Sequence, residues 1–141
     1  MSVTLVPTSD DLTVDATVTA AALTARRATT FLRAQAQWLS RGVQQGDDRV
    51  AVAIVLSAHD RSHDRWVAML GQVATVLGDD IADHLAAVYG HLGRVAEALA
   101  QGALELLAPS TAAMARQLVV ERLTDVTELA VEALWGRAAQ V

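Results

Sequence analysis

The residues most able to do chemistry lie in His59-Asp60-Arg61-Ser62-His63-Asp64-Arg65, a tandem His-Asp-Arg repeat with a period of four. Four residues is about one turn of α-helix, so the spacing predicts His59 and His63 stacked on one face. The aspartates then lie about 100° round the helix and the arginines about 100° beyond them. Two histidines so placed are good ligands for one metal ion, with zinc the natural transition metal. Antiparallel counting through Gly78-Asp79 puts His91 level with Trp66, about one turn from His63. His59, His63 and His91 are therefore the candidate metal ligands, with a haem as the other group such histidines could hold. The same counting brings Arg26, Thr30, Asp125 and Glu128 to this level, as a polar layer across the interior. The alternative is a pair of core or interface histidines satisfied by hydrogen bonds alone. His91 stands beside its helix's apolar stripe, and Glu121, Asp125, Glu128 and Glu132 form a line that reads as solvent-facing.

Other site chemistries fail on residue type. A ferritin-like di-iron site needs Glu-x-x-His on two helices, and no such motif occurs. Hemerythrin-like iron needs more than the 4 histidines present. A zincin needs His-Glu-x-x-His, but Asp60 follows His59. Ser57, His59 and Asp60 on one helix cannot converge as nucleophile, base and orienter. Gly-Asp-Asp, met at Gly46 and again at Gly78, is a helix-stop signal and not a phosphate cradle. His84 follows Asp80 by one turn, so a local pair is expected there. No catalytic residue is assigned, and the sequence leans away from an enzyme.

The elements that must hold these residues are helices. Residues 1–14 read as an extended lead-in, with a small hairpin over the β-branched stretch to Thr19 as the alternative. Helix is expected from about Asp15 to Gln45, with Ala21, Ala25, Ala28, Leu32 and Leu39 on one stripe, flanked by Phe31 and Trp38. Asp47 is the expected cap of a second helix, about Asp48 to Leu77, whose stripe is Leu56, His59, His63, Trp66, Leu70, Val73 and Leu77. A third helix, about Ile81 to Ala108, carries Ile81, Leu85, Val88, Leu92, Val95, Leu99 and Leu106. Pro109 stops it and Ser110 caps a fourth, running to about Ala139, with Ala115, Val119, Leu123, Val126, Ala130 and Leu134. Short loops make successive helices antiparallel, and alternating steps of four and three suit shallow left-handed packing. The expected architecture is all-α: one domain over 1–141, an antiparallel up-down four-helix bundle.

Composition narrows the function classes. Apolar residues make up 52% of the chain and charged residues only 19%, with a formal net charge of -5. That balance opposes a nucleic-acid partner held through phosphates. All 11 cations are arginine, which codon usage in a GC-rich genome explains more simply than selection for anion clamps. With 0 cysteines, disulfides, thiolate metal sites and a cysteine nucleophile are excluded. No signal-peptide pattern or apolar membrane span is present, so the expected compartment is the cytoplasm and a membrane partner is not expected.

Two features point to self-association. Val50 to Leu56 is apolar at every position, which in a helix implies burial on all sides. Gly90, Gly93 and Gly102 would each cost about 1 kcal/mol in a helix interior unless another backbone approaches closely. Val50, Val52, Ile54, Val55, Gly90 and Gly93 are therefore the expected contacts of a homo-oligomer. Arg26, Arg27, Arg33 and Arg41 form a cationic face expected to pair with the acidic line of the last helix or of a neighbouring subunit. The expected function is a non-catalytic scaffold, adaptor or assembly subunit acting through protein contacts. The alternative is a metal- or small-ligand-binding bundle built on the two histidines.

Overall fold

The computed structural model describes residues 9–45, 48–100, 102 and 107–141. Among them all regular structure is helical: α1 (Ser9–Gln45), α2 (Arg49–Arg61), α3 (His63–Leu77), α4 (Asp79–Ala100) and α5 (Pro109–Ala138). The all-α expectation therefore holds, but with five helices where four were expected.

The added helix comes from a break at Ser62. Its backbone N–H donates to both Ala58 O and His59 O, at 3.1 and 3.2 Å. Its hydroxyl donates to the His59 carbonyl at 2.7 Å. A serine that satisfies a nearby carbonyl with its own side chain competes with the helix ladder and bends it. Sequence periodicity does not register such a local competition, because Ser62 keeps a helical φ of -83° and ψ of -8°.

The other boundaries move for local reasons. α1 starts at Ser9 and includes the β-branched stretch, so neither an extended segment over 9–14 nor a hairpin forms there. Extending an existing helix costs only tenths of a kcal/mol per β-branched residue, far less than nucleating a separate element. Residues 1–8, Gly46, Asp47 and Leu106 lie outside the described residues. Asp48 caps α2, accepting from Val50 N at 3.0 Å and Ala51 N at 3.2 Å. α5 has Pro109 in its first turn with Ala108 as N-cap, so Ser110 is inside the helix. There the proline's fixed φ and missing N–H do no harm. α4 ends at Ala100, short of the expected 108, and Gly102 has a φ of +67° that takes the chain out of the helix.

α1 packs against all four other helices, and α4 does the same. Ala21, Ala25, Ala28, Leu32 and Leu39 are all fully buried, as the α1 stripe requires. Toward one end they meet Trp66, Val73, Leu77, Leu85, Ala130 and Leu134. Toward the other, Leu39 and Val43 meet Val55, Leu92, Ala96 and Leu123. Burial of each leucine or valine among these contributes about 1.5–3 kcal/mol. The Trp135 indole N–H donates to Thr29 Oγ1 at 3.0 Å, tying α5 to α1 beside the alanine stripe.

Two glycines are required by geometry. Gly78 links α3 to α4 at a φ of +113°, and a Cβ there would stand 2.9 Å from Asp80 Oδ1. Gly42 lets α1 meet α2, since a Cβ on it would stand 2.7 Å from Val55 Cγ2. Gly78→Ala should lower unfolding stability by about 1–3 kcal/mol, measured by urea denaturation. Gly42→Ala should cost about 1–3 kcal/mol by overpacking, and less in a Val55→Ala background. Additive losses in that double-mutant cycle would show that the two side chains do not meet.

Candidate functional site

The two histidines differ in burial because only His59 lies on the buried stripe that continues to Trp66 and Val73. α2 turns His59 inward, where it is 7% exposed, whereas His63 opens α3 on the exposed surface. The expected pair on one buried stripe is therefore corrected: Val52, Val55 and His59 face the core from α2, and Trp66, Val73 and Leu77 from α3. His91 is half-buried on α4. Among the described residues no three His, Asp or Glu side chains converge as a metal-binding group.

The His59 ring lies instead in a stack of aromatic rings. It stacks on Tyr89 at 5.0 Å between centroids and 16° between planes. Tyr89 in turn stacks on Trp66 at 4.7 Å, and Trp66 meets Phe31 at 5.0 Å. Each such contact is worth about 0.5–1.5 kcal/mol beyond simple burial. Gly93 faces the imidazole, and a Cβ there would make an ordinary contact with His59 Nε2 at 3.5 Å. Trp66 Nε1, His59 Nδ1 and His91 Nε2 are buried without hydrogen-bond partners. Burial holds the His59 pKa below its ordinary 6.5, against a smaller upward pull from Asp60 and with a slight further lowering from His63. His59 is therefore neutral at pH 7.

The expected polar layer does not form. Thr30 turns back to the Arg26 carbonyl at 3.0 Å, and Glu128 is held at the surface by Arg33. That pair is bidentate, with Arg33 Nε and Nη2 donating at 2.9 and 3.0 Å. It raises the Arg33 pKa and lowers that of Glu128, the hydrogen bonds being the main cause in both. Glu121, Asp125, Glu128 and Glu132 are all exposed, as their spacing implies. Asp80 pairs with Arg137 of α5 rather than with His84, because α5 brings a full cation to the start of α4.

The six expected interface positions divide. Val52 and Val55 are buried within the chain, while Val50 and Ile54 are 70% and 51% exposed. The apolar run is therefore half core and half surface. Gly93 faces His59 of its own chain, whereas a Cβ on Gly90 would meet nothing nearer than Arg94 Nη1 at 3.7 Å.

A feature that sequence reading missed is a groove of about 550 Å³ between α1 and α5. Arg33, Gln37, Ser40, Arg41 and Gln44 line one wall, and Val120, Thr124, Thr127 and Glu128 the other. On α1 these polar residues recur at helical spacing, which reads as an ordinary solvated face until the opposite wall is known. Ala36 at its base is too small to fill the space.

The buried histidine makes stability depend on pH. Below about 6.5 the unfolded chain binds a proton that folded His59 resists, so stability should fall as pH drops from that value through the lower folded-state pKa. Melting midpoints between pH 7.5 and pH 5 should show this decline, and His59→Leu should make it shallower. An equal slope in the variant would remove His59 as the cause.

No protein-family model matches the chain, and no curated protein or solved structure matches it either.

Proposed function

We propose that this chain is a non-catalytic, self-associating helical bundle that acts through protein contacts, as a scaffold, adaptor or assembly subunit. In this reading α2 and α3 serve as one bent member of a four-helix, up-down arrangement. The observation that carries the proposal is the outer face of α5. Met114, Leu118 and Leu129 are 67%, 62% and 61% exposed. Leu118 and Leu129 are eleven positions apart, close to three full turns, and Met114 lies one turn before Leu118, so the three share a face. Glu121 and Asp125 lie between Leu118 and Leu129 on that face, so it is a mixed face of exposed apolar and acidic side chains, a composition found at contact surfaces. Val50 and Ile54, one turn apart on α2, form a second, separate pair of exposed apolar residues.

Charge favours a second copy as the occupant. The α5 face also presents Glu121, Asp125 and Glu132, while α1 presents Arg26, Arg27 and Arg41, all exposed. One chain thus carries both halves of a complementary contact, and Arg33–Glu128 already joins the two helices in that sense. Complementary charge sets register and partner choice more than affinity, so the apolar residues must supply most of the binding energy.

Light scattering after size exclusion should report assemblies larger than 14.9 kDa. Leu118→Glu should shift them to monomer without lowering the melting midpoint of the monomer. A wild-type chain that stays monomeric at millimolar concentration would sink the proposal. Gly90→Ala separately tests the α4 surface. It should raise monomer stability by about 1 kcal/mol through helix propensity, while weakening assembly if a second backbone packs there. Unchanged assembly would exclude Gly90 from the contact.

A further inference from the structure

We infer that the His59–Tyr89 stack is an acid-sensitive latch holding α2 on α4, and that acidification releases α2 before the rest of the chain unfolds. Three observations lead to this. The first is where the imidazole stands. The core falls into two clusters, a larger one around Leu32, Trp66 and Leu85 and a smaller one around Leu39, Val55 and Leu92. His59 lies between Val55 of the smaller cluster and Trp66 of the larger. Its ring stacks on Tyr89, and the Tyr89 ring stacks in turn on Trp66. The Tyr89 hydroxyl also donates to the His59 carbonyl at 3.5 Å. The joint between the two clusters is therefore built on a side chain that can take a charge.

The second observation is how little else holds α2. Among its described residues only Val52, Val55 and His59 are buried. α2 and α3 are separate helices on either side of Ser62, so α2 can leave α4 while Trp66 stays in place. A helix of 13 residues is marginal in water on its own, so a released α2 unwinds. α1 and α5, by contrast, are joined through the alanine stripe, the Trp135–Thr29 hydrogen bond and the Arg33–Glu128 pair.

The third is that the site cannot receive a second imidazole proton. An imidazolium needs acceptors for two N–H groups, and His59 Nδ1 is buried without a partner. Neighbouring charge does not compensate. Asp60 of α2 pulls the His59 pKa up and His63 of α3 pushes it down, but burial outweighs both. Arg61 is also on α2 and exposed. α4 brings Tyr89, with His91 and Arg94 near Gly93 in sequence, and α1 brings Arg41 beside Val55. None of these cations favours an imidazolium. Any opening that frees His59 restores its ordinary affinity for protons. Between pH 6.5 and pH 5 the opening equilibrium therefore grows, by at most about thirtyfold.

The test is native-state hydrogen exchange of the full chain at pH 7 and pH 5, corrected for intrinsic rates, with the His59 ring titrated by NMR. Protection of residues 53–61 should fall at least threefold and at most about thirtyfold. At pH 5 these amides should exchange at least tenfold faster than residues 21–32 and 127–134. Their exchange should also depend less on added urea, as a local opening requires. His59→Leu and His59→Gln should each abolish the pH response of residues 53–61, whereas His63→Gln and His91→Gln should keep it. Exchange of α2 at the same rate as α1 and α5 would overturn the inference, as would a pH response that survives in both His59 variants. So would a His59 ring that titrates at or above 6.5, which would mean that attraction to the Tyr89 face outweighs burial.

Discussion

The buried alanine stripe of α1 is the constraint on which the rest of the structure depends. Ala21, Ala25 and Ala28 have no exposed surface, and side chains that short let neighbouring helices approach closely. α5 answers with Ala130 and Leu134, and the Trp135–Thr29 hydrogen bond fixes the pair along their length. Alanine contributes little area of its own, so the energy comes from what the close approach encloses. That is the layer of Leu32, Trp66, Val73 and Leu85. Alanine also has the highest helix propensity, so the feature that sets spacing between helices also stabilises the longest of them.

Away from the alanine stripe the α1–α5 seam changes character. Leu39 and Val43 still face the core, but the outer edge of α1 becomes Gln37, Arg41 and Gln44, opposite Val120 and Thr127. The seam opens there because neither wall has a side chain long and apolar enough to fill it. The same helix pair is thus closed by alanine at one end and polar-lined at the other. Arg33–Glu128 stands at the transition, an exposed ion pair whose contribution is to orientation more than to stability.

The buried face of α2 and α3 continues through Ser62, since His59, Trp66 and Val73 are buried at intervals of seven. His63 stands at the edge of that face: it is exposed, yet its ring lies 6.0 Å from the same Tyr89 that stacks on His59. Trp66 and Phe31 continue the stack from Tyr89. His59 therefore fills space as a neutral, flat, weakly polar ring. Gly93 faces His59, which places a glycine that looked like an interface element beside the interior of the single chain.

The sequence by itself determined the helical class, the α1 stripe and the solvent-facing acids of α5, because each rests on a period that repeats many times along one helix. It also placed the turn at Gly78, where a positive φ leaves few residue choices. Only the tertiary structure decided which histidine is buried, which glycine marks a close approach and where a groove lies. The helix break turns on one serine hydroxyl bonding to one carbonyl, an event with no periodicity to read. The need for Gly42 arises from Val55 on another helix. The groove arises from two small residues, Ala36 and Thr127, that are far apart in the chain and become neighbours only when α1 and α5 pack together. Periodicity reports the face a residue takes on its own helix; the residue opposite it is set by packing.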